Sequence, residues 1–284
     1  MRPRTGSNRP VEPAPASHSI KWAKLPFERC IEYIHQVDRV LHLCMQGLSH
    51  VSTLPALAKA LVELDKADGA VPFSPEQQRH LDETNTRAQF AKAEIDDGFP
   101  ILHSHTVIAL WGALEALVSD LAIAWLENEP STLQNDEFAR LKIPLAEYER
   151  LSKCDRMAFL VKELARSLNA DFKLGIGKFE VLLEALGLSG AVDDNVRRTL
   201  FEMSQVRNVL VHRAGIVDGR FKEACPWVAV EVGEKLRVDH KTYVRYVDAT
   251  HEYVLCLINR VRVRFGIGPY EPTKKDNSSD SGAA

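Results

Sequence analysis

Three side chains near the end of one stretch have the types and spacing for phosphate chemistry. In S-Q-V-R-N-V-L-V-H-R-A-G at 204–215 they are Arg207, Asn208 and His212. Arginine presents a planar fork of donors to phosphate oxygens and stays charged at any working pH. Imidazole accepts and returns a proton near neutrality. An amide can orient either partner. Asn208 and His212, four apart, share a helix face, and Gln205 falls on the same one. Arg207 and His212, five apart, stand about 140° apart around a regular helix. They meet only if the arginine side chain swings round or the last turn distorts. The spacing alone carries little. Short pairs recur by chance, and cations in a last turn complement the helix dipole anyway. The plain alternative is a structural arginine and a histidine that caps the helix.

These residues need a helix to hold them, and the flanking pattern supplies one from about Asp194 to a stop at Gly215. Val196, Leu200, Met203, Val206 and Leu210 recur every three or four positions and mark its buried face. The most hydrophobic stretch, 101–127, reads as the central helix of a bundle. Its length suits a membrane span, but Glu115 and Asp120 in its middle argue against one. Glu115 lies on the row Ile108, Trp111, Val118, Ala122, Trp125, where a buried carboxylate needs a cation. Arg207 is the candidate partner, with Asp120 as second-choice acid; the plain alternative is that Glu115 pairs elsewhere as a structural ion or reaches solvent.

R-N-V-L-V-H, ending an amphipathic helix and followed by R-A-G-I-V-D, resembles the signature of the HEPN superfamily (higher eukaryotes and prokaryotes nucleotide-binding), which pairs an arginine with a histidine four to six residues on. A-L-W-G-A-L-E-A-L-V-S-D at 109–120 is similar to that family's first core helix, and the likeness covers roughly 100–265. Within the superfamily it is most similar to the bacterial RiboL-PSP type. The resemblance implies a mostly α, HEPN-like helical bundle and a homodimer with two Arg207/His212 sets facing one cleft. It further implies a choice between a metal-independent endoribonuclease and an inactive nucleotide-binding, RNA-binding or protein-interaction module. In the first case His212, Arg207, Asn208 and Glu115 would be catalytic, and Gln205 and Arg213 would bind substrate. RNA would be the partner, with no cofactor or metal. A separately encoded antitoxin or effector and a role as toxin or in phage defence also fit the family.

The rest of the chain is consistent with that frame. Over 284 residues, 36 basic and 39 acidic side chains leave a net charge of −3, so any RNA contact must come from a local patch. The five cysteines are scattered, with no C-x-x-C pair. That disfavours a disulfide framework or a cysteine-rich zinc site and points to a cytoplasmic protein with no signal peptide. The organisation expected is a disordered basic tail over 1–19, a helical extension over 20–98, the bundle over 99–266 and a disordered tail over 267–284. Within the extension, helices are predicted at 26–50, 55–64 and 75–97, the last opened by a Ser74/Gln77 capping box. In the bundle they fall at 101–127, 145–169, 194–213 and 240–264. Gly175-Ile176-Gly177-Lys178 lacks the pattern of a phosphate loop and reads as a turn. V-A-V-E-V and L-R-V-D around Gly233 suggest a small β-hairpin or irregular insertion near 226–239. Arg260, Arg262 and Arg264 suit the dipole of the last helix and could extend an RNA path.

Overall fold

The sequence periodicities build an all-α protein. A computed structural model describes residues 20–67, 74–170 and 173–270, so the two expected tails lie outside the described residues, apart from 267–270. The helices are α1 (Lys21–Ala67), α2 (Pro75–Asp96), α3 (Pro100–Asn128), α4 (Asp136–Ala139), α5 (Leu145–Arg150), α6 (Lys153–Ser167), α7 (Gly177–Ala185), α8 (Asp194–His212), α9 (Gly219–Ala224) and α10 (His240–Arg264). α3 is central: it packs against α1, α6, α7, α8 and α10. Val107, Leu114, Leu121 and Ala122 are wholly buried. At about 2–5 kcal/mol for each leucine truncated to alanine, this helix contributes much of the stability.

Among the described residues α3 is also the one helix long and apolar enough to cross a membrane, and half of its most apolar window is buried within the protein. The two acids in its middle have cations beside them from neighbouring helices, Lys178 at Glu115 and Arg29 at Asp120. The core is continuous from α1 to α10: Phe27, Cys30 and Ile34 join Trp125, Leu183, Met203, Tyr246 and Tyr253 in one cluster.

Three segments differ from the sequence expectation. The separate helices at 26–50 and 55–64 are one helix, α1, with Pro55 inside it. Proline deprives a helix of a donor and crowds the preceding turn. Here Ser49, Ser52 and Thr53 hydroxyls bond back to helix carbonyls just before it, and α2 packs along α1. The helix expected over 145–169 is broken at Ser152, whose extended backbone and side chain cap α6 through the Asp155 amide. The 226–239 segment forms no hairpin with itself. It pairs with the chain leaving α8, through Ile216 and Lys235. The Ser74/Gln77 capping box is present in full.

Two details of packing have measurable consequences. Gly175 has φ +57, and a Cβ there would come within 2.9 Å of the Phe201 Cα in α8. The turn before α7 therefore lies directly on the helix that carries Arg207 and His212. Gly175→Ala should cost about 1–3 kcal/mol, read as a lowered denaturant midpoint. His103, near the start of α3, is fully buried and stacks on Tyr243 at 4.8 Å. Burial, and then the neighbouring His240, push its pKa from 6.5 down to about 4, with Asp239 opposing. Unfolding therefore takes up a proton between those values, so stability is full above pH 6.5 and lost as pH falls toward 4. The loss should be about 3 kcal/mol, and His103→Phe should flatten that part of the stability–pH curve.

Candidate functional site

The motif helix is fixed at its start by Asp193, whose carboxylate accepts from the Asn195 and Val196 amides at 2.9 and 3.2 Å. Val196, Leu200, Met203 and Val206 are buried as the periodicity requires, and Leu210 is half-buried. The helix stays regular to His212. Ala214 and Gly215, with φ +51 and +81, then turn the chain away. The departing strand of backbone is clamped: the Leu236 amide donates to the Gly215 carbonyl at 2.8 Å and the Val217 amide to the Glu234 carbonyl at 2.9 Å. Asp218 follows, capping α9 through the Phe221 amide and meeting Arg213 at 3.3 Å.

The regular last turn settles how Arg207 and His212 meet. The arginine side chain swings round the helix, and its Nη1 lies 3.3 Å from His212 Nε2 and 3.4 Å from Asn208 Oδ1. A guanidinium can only donate, so the imidazole accepts at Nε2 and carries its proton on Nδ1. Arg207 is half-buried, while Asn208 and His212 are exposed. Beside them is a cleft of about 410 Å³, walled by Gln205, Asn208 and His212 of α8, by Arg213 just after it, and by Asp218 and Arg220 at the start of α9. Arg207 is not part of that lining. Its donors sit on the imidazole instead. The structure thus brings together Gln205, Arg207, Asn208, His212 and Arg213.

Glu115 is not with them. Its carboxylate accepts from the Trp111 indole at 3.0 Å and pairs with Lys178 at the start of α7. The Lys178 ammonium also lies 5.1 Å over the Trp111 and Phe179 rings. The expectation that Glu115 compensates Arg207 is therefore corrected. Among the described residues no carboxylate pairs with Arg207. The reason is geometric: the row along α3 gave the angle of Glu115 correctly, but α7, not the end of α8, reaches that angle. Lys178 belongs to the Gly175–Lys178 turn, so that segment has a structural use. Two of the three arginines at the end of α10 are likewise engaged. Arg260 turns inward to Glu180 and to the Leu188 and Gly190 carbonyls, and Arg262 donates to the Gly268 carbonyl.

Two residues were invisible to motif reading. Arg220 enters the cleft from α9, a six-residue helix too short for periodicity to reveal. Glu202, only 3% exposed, sits on the inner side of α8. It accepts from the Trp227 indole, the Arg245 guanidinium and the Tyr246 hydroxyl. Burial works to raise its pKa, but the bonds from Arg245, Trp227 and Tyr246 outweigh it and hold the carboxyl below its ordinary 4.5. Thr199, Glu202, Val206 and Val209 form one buried row of α8. The reasoning that singled out Glu115 on α3 would have found Glu202 here. Among the described residues no group of three or more His, Cys, Asp or Glu side chains is placed to hold a metal ion.

No protein-family model, curated protein or solved structure matches this chain. Its site has to be read from its own residues. A double-mutant cycle checks the reassignment of Glu115. Glu115→Gln and Lys178→Gln should couple by up to about 1 kcal/mol, as a half-exposed pair does. Glu115→Gln and Arg207→Gln should be additive, read from chemical denaturation.

Proposed function

We propose that this chain is a metal-independent endoribonuclease of HEPN type, acting on RNA in the cytoplasm. The observation that carries the reading is the 3.3 Å contact between Arg207 and His212 Nε2 at an exposed helix end, beside a cleft with two further arginines. The resemblance of 204–215 to the HEPN signature supports it. In the resting arrangement the guanidinium covers the imidazole lone pair. A backbone phosphate gives those donors a better partner, because charged oxygens accept more strongly than a neutral ring nitrogen. Arg207 then moves to the phosphate and Nε2 becomes free to accept.

The chemistry that follows balances within RNA itself. Nε2 takes the proton of the 2′-hydroxyl, and the 2′-oxygen attacks the adjacent phosphorus. The bond to the 5′-oxygen breaks, and that oxygen takes a proton. The products are a 2′,3′-cyclic phosphate and a 5′-hydroxyl. Arg207 neutralises the charge that builds on the phosphorane oxygens, and Asn208 orients Arg207 through its amide oxygen. Gln205, Arg213 and Arg220 line the path of the strand. Attacking and leaving oxygens lie on opposite sides of the phosphorus, so one imidazole serves one of them. In a homodimer, His212 of a second copy would serve the other.

A binding module without turnover is the second reading. The Arg213–Asp218 pair favours it, since it places a carboxylate in the cleft and offsets part of its positive charge. Cleavage assays separate the two. With mixed RNA in excess EDTA, the wild type should give cyclic-phosphate ends. His212→Ala should be slower by about 10²–10⁴-fold, the usual worth of a positioned acid–base group. DNA, which lacks the 2′-hydroxyl, should be inert. Equal cleavage by wild type and His212→Ala would end the nuclease reading. Binding of RNA without cleavage over hours would establish the module.

A further inference from the structure

α1 presents an apolar seam that, among the described residues, nothing covers. Leu54, Leu57, Leu61 and Leu64 are 42%, 57%, 55% and 66% exposed. They alternate three and four apart, the spacing of a helix-pairing seam. The same alternation runs back through His50, Gly47, Leu43, Val40, Gln36 and Tyr33, all of them exposed. α2 does not cover this face, because it meets the neighbouring one at Pro55, Ala58 and Val62. The first half of the seam also forms one wall of a groove of about 460 Å³ against α3. Tyr33, Val37, Val40 and Leu41 face Leu102 and Ala109 across it, and its surface is almost wholly apolar.

We infer that this seam pairs antiparallel with the same seam of a second copy of the chain. The pattern is its own complement under a two-fold axis. With the axis between Gly47 and His50, Tyr33 faces Leu64, Gln36 faces Leu61, Val40 faces Leu57, Leu43 faces Leu54 and Gly47 faces His50. Each leucine half then lies over the other copy's groove, so the uncovered knobs and the unfilled slot complete each other. A parallel pairing would stack Gly47 on Gly47 and His50 on His50, leaving a void beside a crowded polar pair. It would also set both helical bodies side by side at one end, since the first half of α1 is built into the core.

Charge permits the antiparallel register. On the open flank Arg39 meets Ala60, and Gln46 meets Thr53 within reach of a hydrogen bond, with no like charges opposed. The seam is about 47 Å long and about 10 Å wide. That is roughly 470 Å² per partner before the α3 wall is added, the scale of a small interface rather than the roughly 800 Å² of a standard one.

This contact stands apart from the nuclease reading, and its tests are separate. By light scattering, Leu57→Glu/Leu61→Glu should have half the mass of the wild type, against 31.8 kDa for one chain, with an unchanged helical circular dichroism spectrum. In a Cys44→Ser background, oxidised Leu43→Cys/Leu54→Cys should form an inter-chain disulfide, while either single cysteine should give no link beyond background. The two positions are about 16 Å apart within one helix, too far to close inside a chain. His212→Ala should keep the wild-type mass and still link, whatever its effect on RNA. An unchanged mass in the glutamate variant, a wild type that is already monomeric, or linking through Leu43→Cys alone would overturn the inference.

Discussion

A single buried carboxylate positions the site. Glu202 lies in α8 about 15 Å before His212, and three groups from outside the helix converge on it. Trp227 comes from the loop after α9, and Arg245 and Tyr246 from α10. An ion held this way is costly to unpair in an interior, on the order of 3–5 kcal/mol when one partner of a buried pair is lost. α8 therefore has one angular setting against α10. That setting decides which side of α8 faces water and so puts Asn208 and His212 outside. The carboxylate is also ionised over the whole neutral range, since its bonds hold its pKa below the ordinary value. Its contribution is present above that value and lost only as pH falls through the depressed one.

The second constraint is local. The chain leaving α8 is clamped to the 233–236 segment before it can fray. An exposed helix end would otherwise be the most mobile part of such a site. The clamp keeps Asp218 and Arg220 opposite the last turn of α8, which is what makes a cleft rather than a bare helix tip. Arg207 then has a short menu of partners: Asn208, His212 or an incoming anion. The regular helix shows that no distortion is needed to bring guanidinium and imidazole together. The length of the arginine side chain is enough.

Much of this was legible in the sequence where the signals are local. The Ser74/Gln77 box and the apolar rows of α3 and α8 depend on residues three or four apart, and the structure has them. What failed depended on partners far along the chain. Pro55 is a strong local breaker, yet α1 continues through it because hydroxyls and α2 support that turn. V-A-V-E-V has a strand pattern, but it is the following 233–236 segment that pairs, and with the exit of α8 rather than with V-A-V-E-V. Glu115 asked for a cation, and periodicity could not say that α7 would bring Lys178 to it. Glu202 is equally legible as an acid between the buried Thr199, Val206 and Val209, but it lies off the motif face. The seam on α1 was hidden for a different reason. Pro55 suggests two helices, and a break there interrupts the three-four alternation.

The account rests on the contact between Arg207 and His212 Nε2, and nitrogen NMR of the His212 ring reads it directly. In the resting protein above neutral pH, the imidazole should carry its proton on Nδ1, with Nε2 accepting. Arg207→Ala should return it to the Nε2–H form that an unengaged histidine prefers. A wild-type His212 already protonated on Nε2, and unchanged by removing Arg207, would contradict the convergence on which the site is built.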